Sequence, residues 1–170
     1  MAGTVRHRSR AESSVVAPSL GCVTDLRLAE LTQDNIDAAI GLELRPGQER
    51  FVAPVVRSIA EAYVYPTAWP RLVLDNDQVA GFVMANFDPD NELHEFRCGI
   101  WRLNVAAAAQ GRGVGRFAVD SVAAEARRRG QTRLTVLWEK GADGPEGFYL
   151  KLGFVPVGEL FGEVVGAKQI

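Results

Sequence analysis

At 170 residues the chain is the size of one domain, or one domain plus a tail, and can bury a core without disulfides or metals. A composition that is 47% hydrophobic and 24% charged excludes a wholly disordered or fibrous chain. The net charge of −2 gives no sign of a nucleic-acid binder, and no run reaches the ~18 apolar residues of a membrane span.

Residues 1–22 read as a disordered tail. Arg6, Arg8 and Arg10 are followed by no apolar stretch, so the segment is not a secretory signal. Cys22, Cys98, His7 and His94 are too few and too scattered for a zinc site. Two free thiols in a reducing cytoplasm are expected, and with them a soluble cytoplasmic protein.

Folded signals begin near Thr24. Leu26 and Leu28 alternate as a strand, and Thr32 reads as the N-cap of a short helix carrying Ile36, Ala39 and Ile40. After the Pro46-Gly47 turn, Phe51, Val52, Val55, Val56, Ile59 and Ala62 predict a helix from about Gln48 to Tyr63. Pro54 either kinks that helix or marks its true first turn, and Pro66 and Pro70 close it. Leu72–Leu74 and Val79–Phe87 flank Asp75-Asn76-Asp77 as a hairpin, and Glu95–Val105 reads as a longer strand. A helix over Gly111–Arg129 carries Val119, Val122, Ala123 and Ala126 on one stripe and closes on arginines and Gly130. Leu134, Val136 and Trp138 mark a strand, Pro145–Leu152 a short helix, and Val155–Val165 two last strands. The order β-α-α-β-β-β-α-β-α-β-β predicts one mixed sheet covered on both faces, an α/β (α+β) domain over residues 23–170.

The most informative segment is Gln110-Gly111-Arg112-Gly113-Val114-Gly115, where a strand leads into glycines that open a long helix. Glycine lets a backbone approach a ligand, and the first turn of a helix offers free N–H donors; together they suit phosphate. Arg112 and Arg116 stand nearby. The bland alternative is tight helix–sheet packing. No lysine follows as a nucleotide P-loop requires. Gly113 to Ala118 does fit a loose dinucleotide pattern with Glu139 ending the next strand, but only 31 residues remain after Glu139, too few for the rest of a doubly wound sheet.

Gln110–Gly115 also matches the Q/R-x-x-G-x-G/A signature of the GNAT superfamily of N-acetyltransferases, and Phe148-Tyr149-Leu150-Lys151-Leu152-Gly153-Phe154 resembles that family's second motif at the expected spacing. The resemblance implies a GNAT-like, mostly antiparallel sheet of about seven strands that splays between the fourth and fifth. It implies acetyl-CoA as co-substrate and no metal. The cofactor residues would be Leu103, Asn104, Val105, Gln110, Gly111, Arg112, Gly113, Val114, Gly115, Arg116 and Tyr149. Among these, the amides of Gly111 and Gly113–Gly115 would hold the pyrophosphate, and the backbone of Leu103 and Val105 the pantetheine arm. Tyr149 would be the general acid that protonates the leaving thiolate; without the motif it is an ordinary packing aromatic. Trp101 stands where some polyamine enzymes of the family carry an acid. Glu43, Glu95 and Glu139 remain as bases, with Glu95 as first choice. The usual asparagine of the second motif is replaced by Gly141-Ala142-Asp143-Gly144.

Six acids lie between Asp75 and Glu95, with no Lys or Arg from Leu72 to Phe96. They are either an acidic rim that attracts an amine or two solvated hairpin loops. Gln48–Ala62 and Val79–Met84 are similar to bacterial spermine/spermidine acetyltransferases, which implies a small-molecule polyamine acceptor. The alternatives are an acetyltransferase for amino-acid, peptide or antibiotic amines, and a non-catalytic acyl-CoA-binding domain. No nucleic-acid or membrane partner is expected, and a homodimer is left open.

Overall fold

The computed structural model describes residues 25–141 and 143–170. The expected tail and Cys22 lie outside them, as does Ala142. Seven strands form one sheet in the order β1-β2-β3-β4-β5-β7-β6: β1 Leu26–Ala29, β2 Ala68–Asp75, β3 Gln78–Phe87, β4 Cys98–Val105, β5 Arg133–Trp138, β6 Val155–Leu160 and β7 Glu163–Gln169. Every neighbouring pair is antiparallel except β4 and β5. The helices are α1 Ile36–Ile40, α2 Val55–Val64, α3 Val114–Arg128 and α4 Glu146–Lys151.

Alternation on β2 and β3 builds the two layers. Leu72, Leu74, Phe82 and Met84 face a core shared with Ala39 and Val55 of the α1–α2 side. Val73, Val83 and Ala85 face the opposite core, with Val114, Ala118, Val119, Val122 and Ala126 of α3 and with Trp138 and Tyr149. Helix α3 ends in a Schellman motif: Gly130 at φ +78° lets Gln131 N–H reach the Ala126 carbonyl and Gly130 N–H the Arg127 carbonyl.

Four expectations need correction. The N-cap of α1 is Asn35, three residues after Thr32. Pro54 caps α2, so residues 48–53 are turns, not helix. Pro70 does not end a helix; it sits in β2 opposite Met84, beyond the reach of β1, where a missing N–H costs no ladder bond. Glu95 is not on a strand: His94–Phe96 form a 3₁₀ turn, held by Asn86 Nδ2 donating to the Phe96 carbonyl at 2.6 Å. The Asn76-Asp77 hairpin is as expected, with both φ values positive (+47° and +68°), the geometry that Asn and Asp tolerate.

Beyond Gly99–Thr135 and Ile100–Val136, β4 and β5 have no paired residues. The β3–β4 register slips at the same place, with Met84 opposite Arg102 and Ala85 opposite Ile100, so Trp101 is the extra residue of a bulge. A bulge bends its strand, and here it marks where the sheet splays.

On β7, a Cβ at Gly166 would stand 2.1 Å from the Trp138 ring, so that ring lies directly on the backbone. Cys98 is a free, buried thiol whose pKa burial pushes up to about 11. No helix among the described residues is long and apolar enough to cross a membrane.

Candidate active site

The splay opens two joined cavities, one of about 860 Å³ and one of about 370 Å³, which share Ile100, Trp101, Arg102, Val136 and Leu137. The smaller is lined by Leu103, Val105, Gln110, Gly111, Phe148 and Tyr149. The free edge of β4 runs along it. Val105's carbonyl accepts from Gln110 Nε2 at 3.1 Å, and Gln110 also donates to Gln48 Oε1 at 2.6 Å, so Gln110 ties the glycine loop to both β4 and residue 48.

Past the rim of that cavity, Gly113 caps α3 at φ +88° with no side-chain cap bond. The first intrahelical bond runs from Phe117 N–H to the Gly113 carbonyl, so the amides of Val114, Gly115 and Arg116 precede any helical acceptor. A Cβ at Gly111 or Gly113 would meet nothing within 4 Å. The loop therefore offers an open, electropositive cradle that fits a pyrophosphate. Gly115 is different: a Cβ there would stand 3.0 Å from the Phe148 ring, so this glycine serves packing between the two motifs.

Two expected cofactor side chains turn elsewhere. Arg112 is ion-paired with buried Asp75 at 2.6 Å, bracing the loop against the β2–β3 hairpin. Asn104 is buried and donates to the Ala53 carbonyl at 3.2 Å, pinning the entry to α2; it lines neither cavity. Arg116 is exposed on the first turn of α3.

Tyr149 is buried in an aromatic cluster. Its ring stacks on Trp138 (centroids 5.5 Å apart, 16° between planes) and meets Phe148 and Phe154 edge-on. Burial pushes its pKa upward, which keeps the phenol protonated at any working pH.

The larger cavity holds the acids. Glu49, Asp88, Glu95, Glu139 and Glu163 line it, and Glu43 does not. Glu95 lines the cavity, and its carbonyl accepts from Thr135 Oγ1 at 2.6 Å. Glu163, first residue of β7, has a pKa raised by burial and then by Glu139, against the lowering pull of Arg102. Nothing in the sequence singled it out, because the hairpin that delivers it is defined only by the β6–β7 register.

Arg50, Arg57 and Arg102 line the same cavity. Arg102 donates to Glu61 at 3.1 Å, and Arg57 binds the same carboxylate at 3.1 Å. Arg50 reaches Asp143 at 3.5 Å. Arg57 and Arg102 thus share one carboxylate, and Arg50 is paired across to the segment between β5 and α4.

The acidic run does not stay together. Asp75 and Asp77 sit at the β2–β3 turn, held by Arg112 and Arg27. Asp88 lies past the far end of β3, a strand of ten residues and about 30 Å. Only that second half adjoins the cavity.

The profile of the acetyltransferase (GNAT) family matches residues 30–154. A search of curated protein sequences finds no match. Among solved structures, the chain is similar to the PaiA N-acetyltransferase from Thermoplasma acidophilum in complex with coenzyme A (11% identity, TM-score 0.64, covering 85% of this chain and 99% of that one). It is similar to an acetyltransferase from Thermus thermophilus (22%, 0.62, 85% and 97%). It is also similar to the ribosomal-protein-S18-alanine N-acetyltransferase from Escherichia coli (17%, 0.61, 85% and 94%).

Proposed function

Starting from a chain that belongs to the GNAT acetyltransferase family, we propose an enzyme that moves an acetyl group from acetyl-CoA to the primary amine of a small cationic acceptor, a polyamine such as spermidine or spermine. The observation that carries the reading is the continuous wedge between β4 and β5, with a glycine cradle beyond one end and a carboxylate-lined cavity at the other.

Acetyl-CoA supplies the activated thioester. The amides at Gly113–Arg116 bind its phosphates, and the unpaired edge of Leu103–Val105 aligns its arm. Tyr149, buried and protonated, donates a proton to the departing sulfur. Taking a proton from the acceptor ammonium falls to a carboxylate of the larger cavity. Glu95 is the choice from sequence, and it stands there. Glu163 is better tuned, because burial and then Glu139 raise its pKa, and a base with a raised pKa holds a proton more strongly. The acceptor class rests on charge. Asp143 pairs with Arg50, and Glu61 with both Arg57 and Arg102, while Glu49, Asp88, Glu95, Glu139 and Glu163 line the cavity.

The test is turnover of acetyl-CoA against a panel of polyamines, amino acids, peptides and aminoglycosides, read as free thiol released. Polyamine-dependent thiol release supports the reading. Release with another amine class keeps the acetyltransferase and replaces the acceptor. Acetyl-CoA binding with no release on any amine leaves a binding domain.

A further inference from the structure

Among the described residues two hairpins are closed by two residues of positive φ, and they differ in chemistry. At Asn76-Asp77 the turn uses residue types that accept the left-handed region. At Phe161-Gly162, between Leu160 and Glu163, the first position is a phenylalanine at φ +54°. A bulky side chain is strained there. Core burial does not offset the strain, because Phe161 is 77% exposed. Its contact is with Phe96 of the 3₁₀ turn, with centroids 6.3 Å apart and planes within 11° of parallel. Both rings line the larger cavity, and both have carboxylate neighbours in it: Glu95 precedes Phe96, and Glu163 follows two residues after Phe161. Backbone strain kept for an exposed aromatic at the edge of a cavity points to ligand contact.

We infer that Phe161 and Phe96 form an aromatic lip that binds the acceptor, and that the ligand it takes is an alkylammonium chain bearing a second positive charge. The rings attract a cation through their faces while covering an apolar methylene stem, and Glu95, next to Phe96, adds opposite charge beside them. A diamine or polyamine then reacts at one end while the other is held at the lip. The inference rests on the proposed acetyl transfer to amines and names the residues that choose among them.

Phe161→Asn tests it, since asparagine suits the turn and removes the ring. Three results are expected. The unliganded variant melts at a higher temperature than wild type. Spermidine alone, which should stabilise wild type, stabilises the variant less. In turnover, KM for spermidine rises about three- to tenfold, with kcat moving less than KM, and KM for butylamine changes under twofold. Phe161→Tyr, which keeps the aromatic face, restores spermidine KM. A lower melting temperature for Phe161→Asn overturns the inference, because the ring would then be there for packing. Unchanged spermidine KM, or a Phe161→Tyr variant as impaired as the asparagine one, overturns it equally. If wild type binds acetyl-CoA but acetylates no amine, the acetyltransferase reading fails first and takes the lip with it. An active wild type with an unaffected Phe161→Asn defeats the lip alone.

Discussion

Glu139 and Glu163 flank the end of the β5–β7 ladder, each the next residue in its own chain segment beyond the Trp138–Val164 pair. Both line the larger cavity. Burial raises the Glu163 pKa most, and the nearby Glu139 charge raises it further.

If Glu163 is the base, kcat/KM falls as pH drops through its pKa, because only the carboxylate accepts a proton. Glu163→Gln should lower turnover by ~10²–10⁴, and Glu95→Gln by far less. Glu139→Gln removes repulsion, so the acid limb of the profile should move to lower pH; Arg102→Gln should move it higher. The stability sign is opposite. A carboxyl whose folded pKa exceeds its unfolded value favours folding while protonated and loses that contribution as pH rises. Glu163→Gln should therefore melt above wild type near pH 8, with the gain fading toward pH 4. A larger loss for Glu95→Gln than for Glu163→Gln returns the base to Glu95.

Gly113 decides the cofactor assignment. Acetyl-CoA should raise the melting temperature of wild type, by linkage worth about 2.7 kcal/mol at a hundredfold excess over Kd. Gly113→Asp should abolish that shift by placing a charge in the cradle. Gly113→Asn imposes the same left-handed strain without the charge, so it should retain part of the shift. Equal shifts in all three proteins refute the cradle, and a shift with NAD in place of acetyl-CoA revives the dinucleotide alternative.

Tyr149→Phe keeps the ring stacked on Trp138 and deletes the phenolic proton. Turnover should fall ~10²–10⁴-fold while acetyl-CoA affinity stays nearly constant. A fall of less than about threefold under chemistry-limited conditions means another group protonates the sulfur.

The split acidic run supplies its own control. Raising salt should lower kcat/KM for spermidine more than for a monoamine, as screening acts over about 8–10 Å near physiological ionic strength. The combined Asp88→Asn, Asp90→Asn and Glu92→Gln variant should raise spermidine KM more than it lowers kcat. Asp77→Asn, about 30 Å away at the other end of β3, should leave the salt response unchanged. Equal effects from both ends would mean a diffuse charge effect with no rim.

The element order, both motifs and the Asn76-Asp77 turn were legible because each depends on local periodicity or on residues with special φ preferences. What was not legible depended on register. Asp75 and Asp88 are thirteen residues apart in the chain, and the hairpin sends them to opposite ends. Arg112 reads as a phosphate ligand until the fold places buried Asp75 beside it. Glu163 comes to Glu139 only through the pairing of β7 with β5, and a lone glutamate after Phe161-Gly162 carries no local signal. Phe161 is the converse case: the sequence violates a turn rule there, and the violation becomes informative only once the turn is seen.

Gly166 contacts neither cavity, yet it bears on how the thiolate end can vary. Trp138 rests on its bare backbone and on the ring of Tyr149. A single methyl added at Gly166 would overlap the indole and force it to move, at a typical overpacking cost of about 1–3 kcal/mol. The indole's displacement would pass to the phenol stacked on it. Saturation mutagenesis of β7 should thus find a position intolerant even of alanine, whose variants lose turnover out of proportion to stability. Compensation should arise at Trp138 through smaller rings, before any change at residues that touch substrate.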